Sequence, residues 1–332
     1  MSINIAFVIG PDGEEVEFFK EIYGVFEMKL ATTTDDLREY CATDEERVQV
    51  LYDAGFRNVD LSFYVPDASG TVNYWGDDWE KHASALREFG DKLGVQFVQA
   101  HAPGGNPLMM DENYDRLVAI TKRSLEVCAV LGIKNNVYHC GWASGIDRET
   151  YFARNIEFLE KILPTVEKTG VSLCIENSTK ANMGDRYYFF TGEDMRDFLD
   201  RVNHPLINAC WDTGHANVEG HQYADLVALG DKLTAVHIND NMGRIDEHHL
   251  PFTGTLNLDE VMHGLADANY KGYFTFEAGD TLRFSDNWLH KRHLFEKDTR
   301  LREPNLPIYR KLLELMHTIG VESLSAYGLY EE

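Results

Sequence analysis

Six side chains able to ligate metals or move protons recur at matching places in this sequence. His101, His139, Glu176, Asp212, His237 and Glu277 each stand at the C-terminal end of a short apolar run. Carboxylates and imidazoles are the ligands of hard and borderline divalent cations. Burying several carboxylates together is costly, and a bound cation relieves that cost. Glu176, Asp212, His237 and Glu277 form the inner set, three carboxylates and one imidazole. That set suits one divalent ion, Mn²⁺ first, with Co²⁺, Mg²⁺ or Zn²⁺ as alternatives. It contains no cysteine, unlike the usual structural zinc site. Taken singly, each residue reads more simply as a hydrogen-bonded buried polar group. The set as a whole points to a metal.

The runs that must position these groups are FEMKLA, NVDLSF, QFVQAHA, KNNVYHC, SLCIENS, INACWDT, TAVHIND and YFTFEAG. Most are apolar on both faces and rich in β-branched and aromatic residues, as strands of a buried parallel sheet are. Amphipathic stretches separate them, for example 78–93, 111–131, 148–168 and 192–202. Several of these stop at a glycine before the next strand: Gly55, Gly94, Gly132 and Gly170. Glycine there supplies the left-handed turn that ends a helix. Eight strands each followed by a helix predict an α/β fold, a (β/α)8 TIM barrel, whose strand ends converge on one rim. No GxGxxG or GxxxxGK[ST] run occurs, which removes the signal for a Rossmann or P-loop phosphate turn.

The expected organisation is one TIM-barrel domain over 1–332. Residues 1–25 form an N-terminal extension, expected as an extra strand and helix, and 26–278 hold the barrel strands. Residues 279–306 are a long β8–α8 insertion carrying Trp288, His290, Arg292 and His293, and 307–332 are the last helix and tail. A loop so placed would lie over the barrel mouth as a lid.

Hydrophobic residues make up 44% and charged residues 26% of the chain, an ordinary globular balance. Lys plus Arg is 31 against 55 for Asp plus Glu, so the net charge is −24. Such acidity weighs against nucleic acid as a partner. The five cysteines are odd in number and form no CxxC pair, as reduced thiols of a cytoplasmic protein would. The N-terminal residues show neither a signal-peptide pattern nor a membrane span.

The segments IEN (Glu176), WDTGHAN (Asp212, His215), VHIND (His237), DEHHLPFTGTLNLDEV and FTFEAG (Glu277) together resemble the xylose-isomerase-like barrel superfamily. Its members include ketose 3-epimerases, other sugar and sugar-phosphate isomerases, inosose dehydratases and apurinic endonucleases of the endonuclease IV type. The resemblance covers residues 26–320. It implies that Glu176, Asp212, His237 and Glu277 bind one metal, and that the two glutamates are also the acid–base pair of a sugar isomerase or epimerase. The chemistry is proton abstraction next to a carbonyl, through an enediolate stabilised by the metal. Oligomers are common in this superfamily and are expected here.

Two other branches stay open. The endonuclease branch uses three zinc ions, and its extra ligands match His101, His139, His215, Asp246 and His248. The net charge disfavours this branch. The large subunit of bacterial C-glycoside deglycosidases also resembles the superfamily. It pairs with a small subunit and breaks the C–C bond of 3-oxo-glycosides, a lyase reaction in which His139 would be the catalytic base. The expected contacts to a sugar or glycoside are His101, Trp142, His215, Arg244, His249 and Trp288. The two tryptophans offer stacking faces. Of the adjacent pair His248 and His249, one is expected to face the site, and His249 is the candidate.

Overall fold

The computed structural model describes residues 4–9 and 15–20 at the level of backbone, and residues 27–65, 74–220, 222–283, 293 and 295–331. Eight parallel strands form the central sheet: β1 Leu30–Thr33, β2 Asn58–Ser62, β3 Gln96–His101, β4 Asn135–Tyr138, β5 Ser172–Glu176, β6 Ile207–Asp212, β7 Leu233–His237 and β8 Phe274–Phe276. Each pairs with its neighbour in sequence, and β8 pairs with β1 through Phe274–Leu30 and Phe276–Thr32. The ring closes between β7 and β8. The Ile238 N–H donates to Thr275 O at 2.8 Å, and the Glu277 N–H donates to Ile238 O at 3.2 Å. The chain therefore folds as a TIM barrel.

Every expected strand run overlaps a strand. The first strand starts later than FEMKLA, at Leu30, and runs on to Thr33, because Met28 bridges to the chain's last segment instead of entering the sheet. Inside the ring, Val137, Cys174, Cys210 and Ala235 form a small apolar plug. The larger core lies between the strands and the surrounding helices, with Phe56, Phe158, Phe198, Trp211 and Tyr309 fully buried. Burying these large side chains is the main favourable term, at roughly 25 cal/mol per Å² of apolar surface. The glycines expected to end helices do adopt left-handed backbone, with φ from +67° at Gly170 to +111° at Gly55.

The N-terminal extension differs from expectation. Asn4–Ile9 and Glu15–Lys20 pair as an antiparallel hairpin, where a strand and a helix were expected. The run EVEFFK has charge and apolar residues in alternation at its start, a strand period that overrides its helix-forming glutamates. At the other end, Met28 N–H donates to Leu329 O at 2.6 Å and Glu331 N–H donates to Met28 O at 3.0 Å. The last described segment is thus stitched to the entry of β1. No described helix is long and apolar enough to cross a membrane.

Candidate metal centre

Glu176 ends β5, Asp212 ends β6 and His237 ends β7, while Glu277 follows β8 directly. Ligand atoms of these four side chains all lie within 4.8 Å of one another. Asp212 and His237 are fully buried, and Glu176 is 1% exposed. His237 Nδ1 is 2.7 Å from Glu176 Oε1 and 3.3 Å from Glu277 Oε2. The expected inner set is therefore brought together in space.

Backbone geometry explains how Asp212 is held. The chain turns from β6 directly into a short helix, Thr213–Glu219, and Asp212 Oδ1 caps it by accepting the His215 N–H at 2.6 Å. Its other oxygen accepts from Asn239 Nδ2 at 2.7 Å. Asn177 brackets the same backbone, donating to Asp212 O and accepting the Asp212 N–H at 2.7 Å. Thr213 Oγ1 and Asn239 link β6 to the end of β7 in the same way. Gly214 is required here: a Cβ would lie 1.7 Å from Asn239 Oδ1.

Two further groups share these residues. His101, His139 and Glu176 form one; His215, Asp246 and His248 form the other. His101 Nε2 and His139 Nε2 lie 3.4 Å and 3.1 Å from Glu176 Oε2, yet that oxygen has no hydrogen-bond partner among the described residues. His215 Nε2 and His248 Nε2 lie 3.0 Å and 3.1 Å from Asp246 Oδ2. Glu176 Oε2, His237 Nε2 and Asp246 Oδ1 are buried with no hydrogen-bond partner among the described residues, as suits donor atoms of a cation. By donor type and by these unsatisfied atoms, the residues fit a divalent metal.

The electrostatics separate the two glutamates. Burial pushes the Glu277 carboxyl up to about 6, against the pull of His237 and His248. Burial would raise Glu176 too, but His139 and His237 outweigh it and hold that carboxyl well below its usual range. Burial lowers His139 to about 4, with Glu176 opposing. His215 rises to about 10, because Asp212 and Asp246 overcome its burial.

These residues border a cavity of about 300 Å³ at the C-terminal mouth of the barrel. His101, His139, Trp142, Glu176, His215 and Glu277 line it, as expected of them. Two expected contacts do not. Arg244 is exposed and lies outside the lining, following Gly243 in a turn that points it to solvent. His248 lines the cavity in place of His249. His249 pairs by its backbone with Asp240, and the left-handed φ of +47° at His248 directs that side chain inward. Trp288, His290 and Arg292 lie outside the described residues. His293 borders a separate hollow with Phe295 and Leu301.

Sequence reasoning missed Tyr64, Asp60 and several residues of the next turns. Tyr64 lines the cavity edge-on to His101, with ring centroids 4.9 Å apart. Asp60 is fully buried, with Oδ2 3.6 Å from His237 Nε2 and accepting from Gln99 Nε2 at 2.8 Å. Asp60 sits mid-strand, where an inward carboxylate looks like any polar strand residue. Tyr64 is followed by Val65 and Pro66, which read as loop.

A family model described as a xylose isomerase-like TIM barrel matches residues 48–322. A probable endonuclease 4 from Citrifermentans bemidjiense is 28% identical over 214 residues, covering 55% of this chain and 71% of that protein. A D-psicose 3-epimerase from Ruminiclostridium cellulolyticum is 23% identical over 154 residues, covering 46% of this chain. The chain spans only 50% of that epimerase. Among solved structures, a 3-keto-D-glucoside 4-epimerase from E. coli superposes with a TM-score of 0.63 at 18% identity, over 88% of this chain and all of the other. At that identity the likeness is one of fold.

Proposed function

The chain belongs to the xylose isomerase-like TIM barrel family, and from that premise we propose that it is a divalent-metal-dependent isomerase or epimerase of a sugar, acting by proton abstraction next to a carbonyl. The observation that carries this reading is the convergence of Glu176, Asp212, His237 and Glu277 beside a cavity of sugar size. A divalent ion held by these four would supply the positive charge that stabilises negative charge developing on a substrate oxygen. Glu176 and Glu277 come from the fifth and eighth strands and so approach the substrate from different sides. One of the two carboxylates takes the proton and the other returns it. Trp142 and Tyr64 line the same cavity and offer aromatic faces to a sugar.

Solvent-exchange labelling tests this. With metal-loaded protein in D₂O, the carbon next to the carbonyl of a ketose substrate gains deuterium. Glu176→Gln and Glu277→Gln each abolish net conversion of the substrate while keeping the fold, and the variant lacking the abstracting carboxylate also loses the exchange. Retained net conversion in either variant, or exchange retained in both, overturns the mechanism.

A second reading rests on the two extra groups, His101–His139–Glu176 and His215–Asp246–His248. They favour more than one metal per chain, and with it hydrolysis of a phosphate ester, as the endonuclease 4 likeness suggests. Elemental analysis separates the readings: one metal per chain supports the sugar reaction, and about three support the hydrolase. The likeness to a 3-keto-D-glucoside 4-epimerase keeps 3-oxo-glycosides among the substrates. If the reaction goes on to C–C cleavage, His139 is the base, and a small partner subunit co-purifies.

A further inference from the structure

Next to Glu277, the cavity wall carries charged groups that the proposed chemistry does not use. β1 is followed by a 3-10 turn, Asp35–Leu37, and β8 by another, Gly279–Leu282. Because β8 and β1 are neighbours, the two turns meet, and Asp35, Asp36, Arg38, Asp280 and Arg283 all line the cavity.

Most of this charge is paired. Arg38 Nη1 is 3.3 Å from Asp35 Oδ1, which also accepts from Ser62 Oγ at 3.2 Å. Arg283 Nη1 is 3.5 Å from Asp280 Oδ1, its Nη2 donates to Asp36 O at 2.5 Å, and its guanidinium lies over the Tyr40 and Tyr309 rings. Asp36 is the exception. It is 8% exposed, and its Oδ2 has no hydrogen-bond partner among the described residues. The same holds for Nε of Arg283. The space for Asp36 exists because residue 279 is glycine: a Cβ there would lie 2.2 Å from Asp36 Cγ.

A buried acceptor and a buried donor left unmade on adjacent side chains are costly unless a ligand completes them. An ammonium could satisfy Asp36 but not the Arg283 N–H. A phosphate could satisfy Arg283 but would meet Asp35, Asp36 and Asp280. A pair of neighbouring hydroxyls satisfies both, because each hydroxyl donates and accepts. Burial, with Asp280 adding to it and Arg283 opposing, holds the Asp36 carboxyl well above its usual range, which suits a neutral partner better than a cation.

We propose that this wall is a subsite for vicinal hydroxyls at the end of the substrate remote from the reacting carbonyl, with Asp36 accepting, Arg283 donating, and neutral polyols favoured over sugar phosphates. The inference rests on reading the cavity as a sugar site and names the end of the sugar it holds.

Calorimetric titration of metal-loaded protein tests it with ligands that lack a carbonyl and so do not turn over: D-glucitol, D-glucitol 6-phosphate and 1-amino-1-deoxy-D-glucitol. The wild-type protein binds D-glucitol most tightly. Asp36→Asn and Arg283→Lys each weaken it about tenfold or more, and Asp36→Asn narrows the preference over the phosphate. Metal content and melting temperature, measured on the same samples, show that each variant is folded; Asp36→Asn keeps the side-chain volume. Unchanged D-glucitol affinity in both folded variants overturns the subsite alone, as does tighter binding of the phosphate or the amine by the wild type. Failure of the metal-loaded wild type to bind any of the three overturns the sugar reading and the subsite with it.

Discussion

Around Asp212, each polar atom is tied to the next strand or to the following helix by Asn177, Asn239, Thr213 or the His215 backbone. Around Asp36, on the other side of the same mouth, two short 3-10 turns each carry an ion pair of their own and are joined by Arg283, which donates to Asp36 O. The first arrangement holds a ligand rigidly, because amide hydrogen bonds from strand ends cannot slide without breaking the sheet. The second gives charge and shape but leaves groups to be completed by something else. On the proposed function, one side of the mouth serves the chemistry and the other the choice of substrate.

The comparison breaks if the fixed side can be altered cheaply. The largest effect is expected for Glu277→Gln, a loss of turnover of about 10³-fold or more with the melting temperature within a few degrees of the parent, read by kinetics and calorimetry. Asn239→Ala tests the support behind Asp212: metal affinity should fall by about 10–100-fold while the cavity wall near Asp36 still binds polyol, read by competition with a chromogenic chelator. A smaller difference separates the histidine pair. His248→Ala should lower binding of metal or substrate by several-fold, and His249→Ala should change it less, which would reverse if His249 were the one facing inward. The smallest effect is expected at Arg244, whose replacement by Ala should leave both activity and stability within about 0.5 kcal/mol. A large loss there would bring the turn at 243–245 into the site.

The ends of the strands were legible because a His, Asp or Glu closing an apolar run is unusual, and a barrel gathers such ends on one rim. That reasoning located Glu176, Asp212, His237 and Glu277, and also His101 and His139. It lost resolution where the chain leaves the strands. Alternation favours neither His248 nor His249, since the left-handed backbone at His248 sets the facing and only the three-dimensional turn reveals it. Asp36 and Asp280 carry a weaker signal, being carboxylates within four residues past β1 and β8 in runs that read as surface turns. Looking one turn beyond each strand end would have found both. Arg244 read as a substrate contact for its charge and position, but burial, not residue type, decides which side of a loop a long side chain takes.

The stitch between Met28 and the segment ending at Glu331 has a consequence for how the barrel can be rewired. The two ends of the ring-forming chain lie side by side, hydrogen-bonded like adjacent strands. A permuted gene that joins residue 331 to residue 27 by a short linker, and opens the chain at the exposed turn near Gly145, would keep each strand beside its present neighbours. Such a protein would carry new termini on the mouth side, following β4 and away from the β8–β1 wall.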